Sequence, residues 1–175
     1  MMKKILITGF EPFGTDSRNP SGEAVSLLCD TADYKLYKLT LPVTWQGAFR
    51  ALSAAWDEID PDGVLMVGLA GGADRIRIER VGINLCGAIK DNDGLYPNGK
   101  SDIPAEAPVA IGGENAYFST YNEKEILRVL REKGSPRRIP TPPALIFAII
   151  FSIHLLRKQQ KKKKIKRSVL FTFPM

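Results

Sequence analysis

The stretch KKILITGFEPFG, residues 3–14, is a run of apolar and β-branched side chains that leads into a loop. A short apolar run without polar alternation is typical of a strand that is covered on both faces, as in parallel sheets. DGVLMVGLAGG, residues 62–72, repeats the pattern and ends in glycines. The two stretches predict buried strands whose following loops lie at the carboxyl edge of one sheet, where such sheets place their sites.

Helical segments alternate with these strands. NPSGEAVSLLC, residues 19–29, begins with Asn-Pro, a cap and first-turn signal, and continues with apolar residues at helical spacing. TWQGAFRALSAAWDEID is predicted as an amphipathic helix that opens at Thr44 and stops before Pro61. A third helix is predicted over residues 122–133, with a buried stripe of Ile126, Val129 and Leu130.

Two further stretches alternate with the period of a strand. These are YKLYKLTLP, residues 34–42, and RIRIERVGIN, residues 75–84. Strands that alternate with helices along the chain indicate a doubly wound sheet. The predicted fold is therefore an α/β three-layer sandwich with a mixed, mostly parallel sheet.

The charge of the chain is divided sharply at Gly134. Residues 1–134 carry 15 of the 25 basic side chains and all 19 acidic ones, a net charge of −4. Residues 135–175 carry the other 10 basic side chains and no acid. The sequence thus predicts an acidic body at 1–134 and a basic, apolar tail at 135–175 of a different character.

Several classes of protein are disfavoured by short motifs. The first apolar run is broken at Glu11, too early for a signal peptide, so we expect a cytoplasmic protein. Cys29 and Cys86 have no CxxC or Cys/His spacing, so neither a disulfide framework nor a metal site is predicted. GLAGG lacks the lysine of a phosphate-binding loop, and we expect no cofactor.

Phe10 and Phe13 flank Pro12 on the loop after the first strand. One interpretation is that both rings plug the sheet edge as part of the core. The other is that they grip a flat, uncharged ligand, because aromatic faces suit such groups. Their place at a strand end favours the second interpretation.

The other candidates follow the second strand. Gly71 and Gly72 would let the backbone approach another group closely, or their backbone N–H groups would donate hydrogen bonds to an oxyanion. Glu79 shares a strand face with Arg75 and Arg77, which is typical of a cross-strand ion pair on a solvated face. The functional alternative for Glu79 is a carboxylate that orients a catalytic histidine.

The remaining reactive side chains favour structural roles. His154 is the only imidazole of the chain and lies in the apolar stretch IIFSIHLL. Cys29 ends a predicted helix and Cys86 lies beside a strand, and neither has a base nearby in sequence. A reactive thiol would need an exposed, electropositive setting.

Six separated motifs together resemble a known enzyme family. They are ILITGFEPFG, NPSGEAV, VGLAGG, IERVGIN, KDNDG and NAYFST, all within residues 1–134. In this order and spacing they resemble pyroglutamyl peptidase type I. The resemblance implies a phosphorylase/hydrolase-like α/β fold, usually a cytosolic homotetramer, that removes an N-terminal pyroglutamyl residue from small peptides.

The resemblance also implies site residues. The lactam ring of the substrate would lie against Phe10 and Phe13, near Gly71 and Gly72. The family's thiol peptidase mechanism uses a cysteine, a histidine and a glutamate, and the glutamate corresponds to Glu79. The family's cysteine and histidine correspond to no residue of this chain. Another departure lies in NLCGAIKDN, which is one residue shorter than the family pattern and lacks a basic residue between Ala88 and Ile89.

A shift of reading frame at codon 134 would account for the missing residues. If one base was lost there, the neighbouring frame permits the string GIPAS.S(N/Y)TAGTY.CNH, which resembles the family segment that carries the cysteine. The cysteine codon spans Phe147 and Ala148. SVLFTFPM, residues 168–175, can be reread as GFIHVPY, with a histidine codon spanning Phe171 and Thr172. One codon in this frame does not permit the valine that the family usually has at that position.

A non-catalytic function is the alternative. Residues 144–156 are apolar apart from Ser152 and His154, and a lysine cluster follows them, an arrangement that suits an anionic membrane surface. The run is too short to span a bilayer. Nucleic acid would be bound by charge alone, since no aromatic residue lies among the lysines. We expect neither membrane nor nucleic acid as a partner if the tail is frame-shifted.

Overall fold

The structure is a computed structural model that describes residues 2–71, 76–133 and, as backbone, 167–173. The strands are β1 (Lys3–Phe10), β2 (Tyr34–Leu41), β3 (Gly63–Leu69), β4 (Arg77–Glu79), β5 (Val81–Ile83), β6 (Ala116–Phe118) and β7 (Arg167–Phe173). The helices are α1 (Pro20–Leu27), α2 (Gly47–Ile59) and α3 (Glu123–Glu132). The predicted alternation of strands and helices over the first 70 residues is confirmed.

A five-stranded sheet with the order β2-β1-β3-β7-β4 forms the centre of the fold. The first four of these strands run parallel, and β4 pairs antiparallel with β7. Strands β5 and β6 form a separate two-stranded antiparallel sheet. The main sheet is thus mixed and mostly parallel, as the sequence predicts.

The two faces of β1 are covered by different helices. Leu6 packs in one apolar cluster with Leu52 and Trp56 of α2. Its neighbour Ile7 points to the opposite face and packs in another cluster with Val25 of α1. Helix, sheet and helix therefore form three layers, and burial on both faces explains the unbroken apolar run in β1.

Helix α1 begins at the predicted place and packs closely on β1. The Oδ1 atom of Asn19 accepts a hydrogen bond from the Ser21 backbone N–H at 3.0 Å, and Pro20 occupies the first turn. A Cβ atom at Gly9 would lie 2.6 Å from the Ser21 carbonyl oxygen, and one at Gly22 would lie 2.5 Å from the Phe10 carbonyl oxygen. Only glycine at both positions permits this backbone contact.

Helix α2 begins three residues later than predicted. The sequence places its start at Thr44, but the first helical residue is Gly47. The Trp45 backbone N–H donates to the Asp91 carboxylate at 3.0 Å, which holds the chain outside the helix at this point. The end agrees with the prediction, because Asp60 adopts a left-handed conformation with a φ of 45° immediately before Pro61.

The strand predicted over residues 75–84 is divided into β4 and β5, which belong to different sheets. The Tyr121 hydroxyl donates to the Glu79 carbonyl oxygen at 2.9 Å, and the Ser119 backbone N–H donates to the Arg80 carbonyl oxygen at 2.8 Å. These bonds come from a segment some 40 residues further along the chain. Period-two alternation within 75–84 therefore did not indicate the division.

Helix α3 is confirmed, but its apolar stripe is less buried than predicted. Asn122 caps the helix through a hydrogen bond from the Glu125 backbone N–H to its Oδ1 atom at 3.3 Å. Ile126 and Leu130 are half-buried, whereas Val129 is 38% exposed. The stripe is thus only partly covered by the rest of the fold.

Several predicted features lie outside the described residues. These are Gly72, Arg75, His154 and the apolar and lysine-rich parts of the tail. Among the helices that the structure describes, none is long and apolar enough to cross a bilayer.

We expect Gly9→Ala to lower the free energy of unfolding by about 3 kcal/mol. The added methyl group would overlap backbone atoms of α1, which cannot move away as a flexible side chain could. Gly99→Ala is the control, because open space surrounds this position and only its φ of 79° opposes a side chain. The control should cost about 1 kcal/mol. Urea denaturation measures both, and equal losses would contradict the close contact of β1 and α1.

Candidate functional site

Three loops meet where β1 and β2 end. The Glu11 backbone N–H donates to the Leu41 carbonyl oxygen at 3.0 Å, which joins the two strand ends. The Asn92 backbone N–H donates to the Val43 carbonyl oxygen at 2.9 Å, which brings in a loop from beyond β5. The segment Phe10–Gly14, the turn before α2 and residues 91–95 therefore form one edge, as expected for a parallel sheet.

Phe10 and Phe13 are not equivalent in the structure. Phe10 is 5% exposed and belongs to the core cluster on the α2 side. Phe13 is half-buried and packs against the same cluster from the outside. Phe10 is therefore a core residue, whereas part of the Phe13 ring is exposed and accessible to a ligand. Their joint role as a clamp stays a prediction.

The start of the Phe10–Gly14 segment is fixed by α1. The Phe10 backbone N–H donates to Ser21 Oγ at 3.1 Å, and Ser21 Oγ in turn donates to Asn19 Oδ1 at 2.8 Å. Asn19 Nδ2 donates to the Glu11 carbonyl oxygen at 2.9 Å. Asn19 and Ser21 are both buried, so these bonds are shielded from water and hold the segment against the helix.

The middle of the same segment is held from the opposite side. The Glu11 carboxylate accepts the Val43 backbone N–H at 2.9 Å and lies 3.5 Å from Asn92 Nδ2. Asn92 Nδ2 also donates to the Pro12 carbonyl oxygen at 2.9 Å, and its Oδ1 atom accepts the Gly14 backbone N–H at 3.4 Å. The motif ILITGFEPFG contains Glu11, Pro12 and Gly14, and KDNDG contains Asn92, but only the structure brings the two motifs together.

Gly71 and Glu79 lie elsewhere along the sheet. Gly71 follows the end of β3 and is half-buried. Glu79 ends β4 and is also half-buried, while Arg77 on the same face is exposed. Strands β3 and β7 separate β4 from β1, a lateral distance of about 14 Å at the usual strand spacing. The structure therefore does not bring Glu79 into direct contact with Phe10 or Phe13.

The neighbour of Glu79 in the sheet is β7, which belongs to the tail. Glu79 is opposite Leu170, and Arg77 is opposite Thr172. Position 172 is thus diagonal to Glu79 across an antiparallel pair. Diagonal positions of this kind are within reach of each other for long and aromatic side chains.

The two cysteines are in different settings. Cys29 is exposed beyond the end of α1. Cys86 is 6% exposed and packs in the core cluster on the α2 side, and this burial raises the pKa of its thiol to about 11. The Cys86 thiol is therefore neutral at physiological pH and is a poor nucleophile.

A cavity of about 460 Å³ lies beside the edge that the three loops form and was not predicted. It is bounded by the turn before α2, the first turn of α2 and residues 91–99.

The chain is one residue shorter than the family pattern between Ala88 and Ile89, and the basic residue nearest to this place in sequence is Lys90. Its Nζ atom lies 5.3 Å from the centre of the Tyr96 ring. Within the described ranges, no group of three or more His, Cys, Asp or Glu side chains could hold a metal ion.

Comparison with known proteins gives a consistent set of relatives. Residues 3–174 match the model of the pyroglutamyl peptidase family. A pyrrolidone-carboxylate peptidase from Clavibacter michiganensis is 43% identical over 138 residues, which are 77% of this chain and 62% of the relative. One from Thermococcus onnurineus is 41% identical over 137 residues, 78% of this chain and 66% of the relative. The chain thus spans slightly less than two thirds of the length of these two relatives.

Solved structures agree with the sequence comparisons. A mutant pyrrolidone carboxyl peptidase from P. furiosus has a TM-score of 0.84 and 33% identity, over 98% of this chain and 80% of that one. Pyrrolidone carboxyl peptidase from Thermococcus litoralis has a TM-score of 0.84 and 29% identity, over 99% of this chain and 77% of that one.

We expect the two cysteines to differ in alkylation. At pH 8, iodoacetamide should modify Cys29 rapidly, whereas about one in a thousand Cys86 thiols is ionised at a given time and should react far more slowly. Mass spectrometry of the intact folded protein measures both rates. Equal rates at the two cysteines would contradict the burial of Cys86.

The same pKa shift predicts a fall in stability at high pH. Burial raises the pKa of Cys86 from 9.0 to about 11, so the unfolded chain loses this proton first as the pH rises. The stabilisation from the neutral thiol is complete below pH 9 and is lost as the pH approaches 11. In Cys86→Ala, the loss of stability that comes from ionisation of this thiol should be absent. Denaturation of both proteins at pH 8 and pH 11 measures the difference.

Proposed function

Because the chain belongs to the pyroglutamyl peptidase family, we propose that residues 1–134 are the body of a cysteine peptidase that releases pyroglutamyl residues from peptide N-termini. The observation that carries the proposal is the edge formed by the Phe10–Gly14 segment. It is apolar, rigidly tied and partly open at Phe13. A small lactam without charge requires a receptor of this kind, since an aromatic face contacts the ring and backbone groups bind its polar atoms.

We further propose that the encoded chain has lost catalysis. Thiol peptidase chemistry needs a thiolate that attacks the carbonyl carbon, an imidazole that carries the proton and a carboxylate that orients the imidazole. Glu79 is our candidate for the carboxylate. The only thiol and imidazole groups of the sequence belong to Cys29, Cys86 and His154. Cys29 is beyond α1, and the pKa of Cys86 is raised by burial, so neither suits the role of nucleophile.

The register of β7 supports a shifted reading frame as the origin of this loss. In the neighbouring frame, the codon that spans Phe171 and Thr172 permits histidine, and the residue that it encodes takes position 172. That position is opposite Arg77 and diagonal to Glu79. A histidine there would be within reach of the Glu79 carboxylate, as an orienting pair requires.

The other expectations from the resemblance remain proposals. The substrates would be small pyroglutamyl peptides, the location cytoplasmic and the assembly a homotetramer. The backbone amides of Gly71 and Gly72 would serve the substrate or its oxyanion. No cofactor is needed, since the thiol, imidazole and carboxylate supply all the chemistry of the reaction.

Restoring one base at codon 134 is expected to create activity. The encoded chain should not hydrolyse a chromogenic pyroglutamyl anilide detectably, because loss of a catalytic nucleophile costs roughly a millionfold. The repaired gene product should hydrolyse it, and alkylation of thiols should abolish the turnover. Hydrolysis by the encoded chain would mean that Cys29, Cys86 or another group serves as nucleophile. An inactive but folded repaired protein would contradict the assigned function.

Glu79→Gln in the repaired protein should lower kcat by on the order of 10³–10⁴-fold with little change in KM. The amide keeps the size of the carboxylate but does not stabilise the imidazolium ion that forms during catalysis. Glu58→Gln, at an exposed carboxylate of α2, is the matched control and should leave kcat nearly unchanged. Steady-state kinetics on the pyroglutamyl anilide distinguishes the two variants, and equal effects would remove Glu79 from the mechanism.

A further inference from the structure

Residues 91–95 form a rigid turn beside the binding edge. The Asp91 Oδ1 atom accepts the backbone N–H groups of Asp93 and Leu95, both at 3.0 Å. The backbone of Asp91 exchanges two further bonds, at 2.9 Å each, with Gly94 and Leu95. The second carboxylate oxygen, Oδ2, accepts the Trp45 backbone N–H at 3.0 Å. The position of Asn92 is thereby set by bonds that do not involve its own side chain.

The Asn92 side chain uses both of its polar atoms on the Phe10–Gly14 segment. Its Nδ2 atom donates to the Pro12 carbonyl oxygen, and its Oδ1 atom accepts from the Gly14 backbone. These two contacts lie on either side of Phe13 in sequence. The backbone that carries the partly exposed aromatic ring is therefore fixed on both sides by one amide group.

Glu11 completes the arrangement. Its carboxylate accepts the Val43 backbone N–H at 2.9 Å and lies 3.5 Å from Asn92 Nδ2. Val43 is also the residue whose carbonyl oxygen accepts the Asn92 backbone N–H. Glu11, Val43 and Asn92 thus form a closed ring of contacts between the strand ends of β1 and β2 and the 91–95 turn.

We propose that Asn92, supported by Glu11, is a positioning residue that sets the orientation of Phe13 for binding of the lactam ring. The proposal rests on the function proposed above. Asn92 is exposed and Glu11 is half-buried, so their contribution to overall stability is small compared with that of the core. Their effect on binding is larger, because a ring displaced by about 1 Å loses much of its contact with a small ligand.

Titration of the full encoded chain with pyroglutamic acid amide, followed by ligand-observed NMR, tests the proposal. Prolinamide, which lacks the lactam carbonyl, serves as the control ligand. Asn92→Ala should weaken the binding of pyroglutamic acid amide by about fivefold or more. Its melting temperature should stay within about 2 °C of that of the parent chain.

Asn98→Ala is the matched control variant. Asn98 lies in the same long loop and makes comparable bonds, with Nδ2 3.0 Å from the Ile103 carbonyl oxygen and Oδ1 3.0 Å from the Lys100 backbone nitrogen. It takes no part in the Phe10–Gly14 contacts described above, and its loss should leave lactam binding unchanged. Hydrogen exchange should quicken at the Gly14 amide in Asn92→Ala but not in Asn98→Ala.

Two variants that change the charge beside Phe13 provide a second test. Asn92→Asp removes the donor to Pro12 and places a second carboxylate beside Glu11, so it should weaken binding further than Asn92→Ala. Adding Glu11→Gln restores a donor between the two side chains and should recover part of the affinity. The melting temperature of each variant is measured beside its affinity, so that rescue of binding is distinguished from rescue of folding.

The possible outcomes separate this role from the proposed function. Equal binding of pyroglutamic acid amide by the parent chain and Asn92→Ala, with equal Gly14 exchange, overturns the positioning role alone. If the parent chain binds pyroglutamic acid amide no better than prolinamide, the lactam site itself is wrong and the positioning role falls with it. Weakened binding with unchanged melting temperature supports both.

Discussion

The backbone contact between β1 and α1 at Gly9 and Gly22 is the constraint on which the proposed binding edge depends. A side chain at either position would overlap backbone atoms of the other element. The contact brings the first turn of α1 beneath the end of β1, and this lets Ser21 accept the Phe10 backbone N–H and lets Asn19 bind the Glu11 carbonyl oxygen. Phe10 is consequently buried, and the chain leaves the sheet in a fixed direction toward Phe13.

The candidate site consists of two parts with different dependence on the tail. The Phe10–Gly14 segment is held by contacts from residues that precede Gly134, namely α1, the turn after β2 and the 91–95 turn. The surroundings of Glu79 instead include β7. A shift of frame after Gly134 therefore affects the proposed catalytic part and leaves the proposed lactam-binding part in the encoded sequence. The proposed lactam binding and the proposed hydrolysis would for this reason be separable in this chain.

The sequence predicts the elements of the first half of the chain well, because their signals are local. β1 and β3 are apolar on both faces, and α1 has a cap and a proline within two residues of its start. Features that depend on distant partners were not predictable. The start of α2 depends on Asp91, and the division of β4 from β5 depends on Ser119 and Tyr121. The different burial of Phe10 and Phe13 likewise follows from packing against α2, which two aromatic residues around one proline do not reveal.

The order of strands has a consequence for biosynthesis. β3 lies inside the sheet, and its neighbour β7 begins at Arg167, near the end of the chain. At ~5–20 residues per second, a ribosome needs on the order of 5–20 s to add the roughly one hundred residues between them. Throughout this interval the nascent chain exposes one unpaired side of β3 to other polypeptides. The encoded protein is therefore expected to depend on chaperones during translation more strongly than a sheet whose strands pair in the order of synthesis.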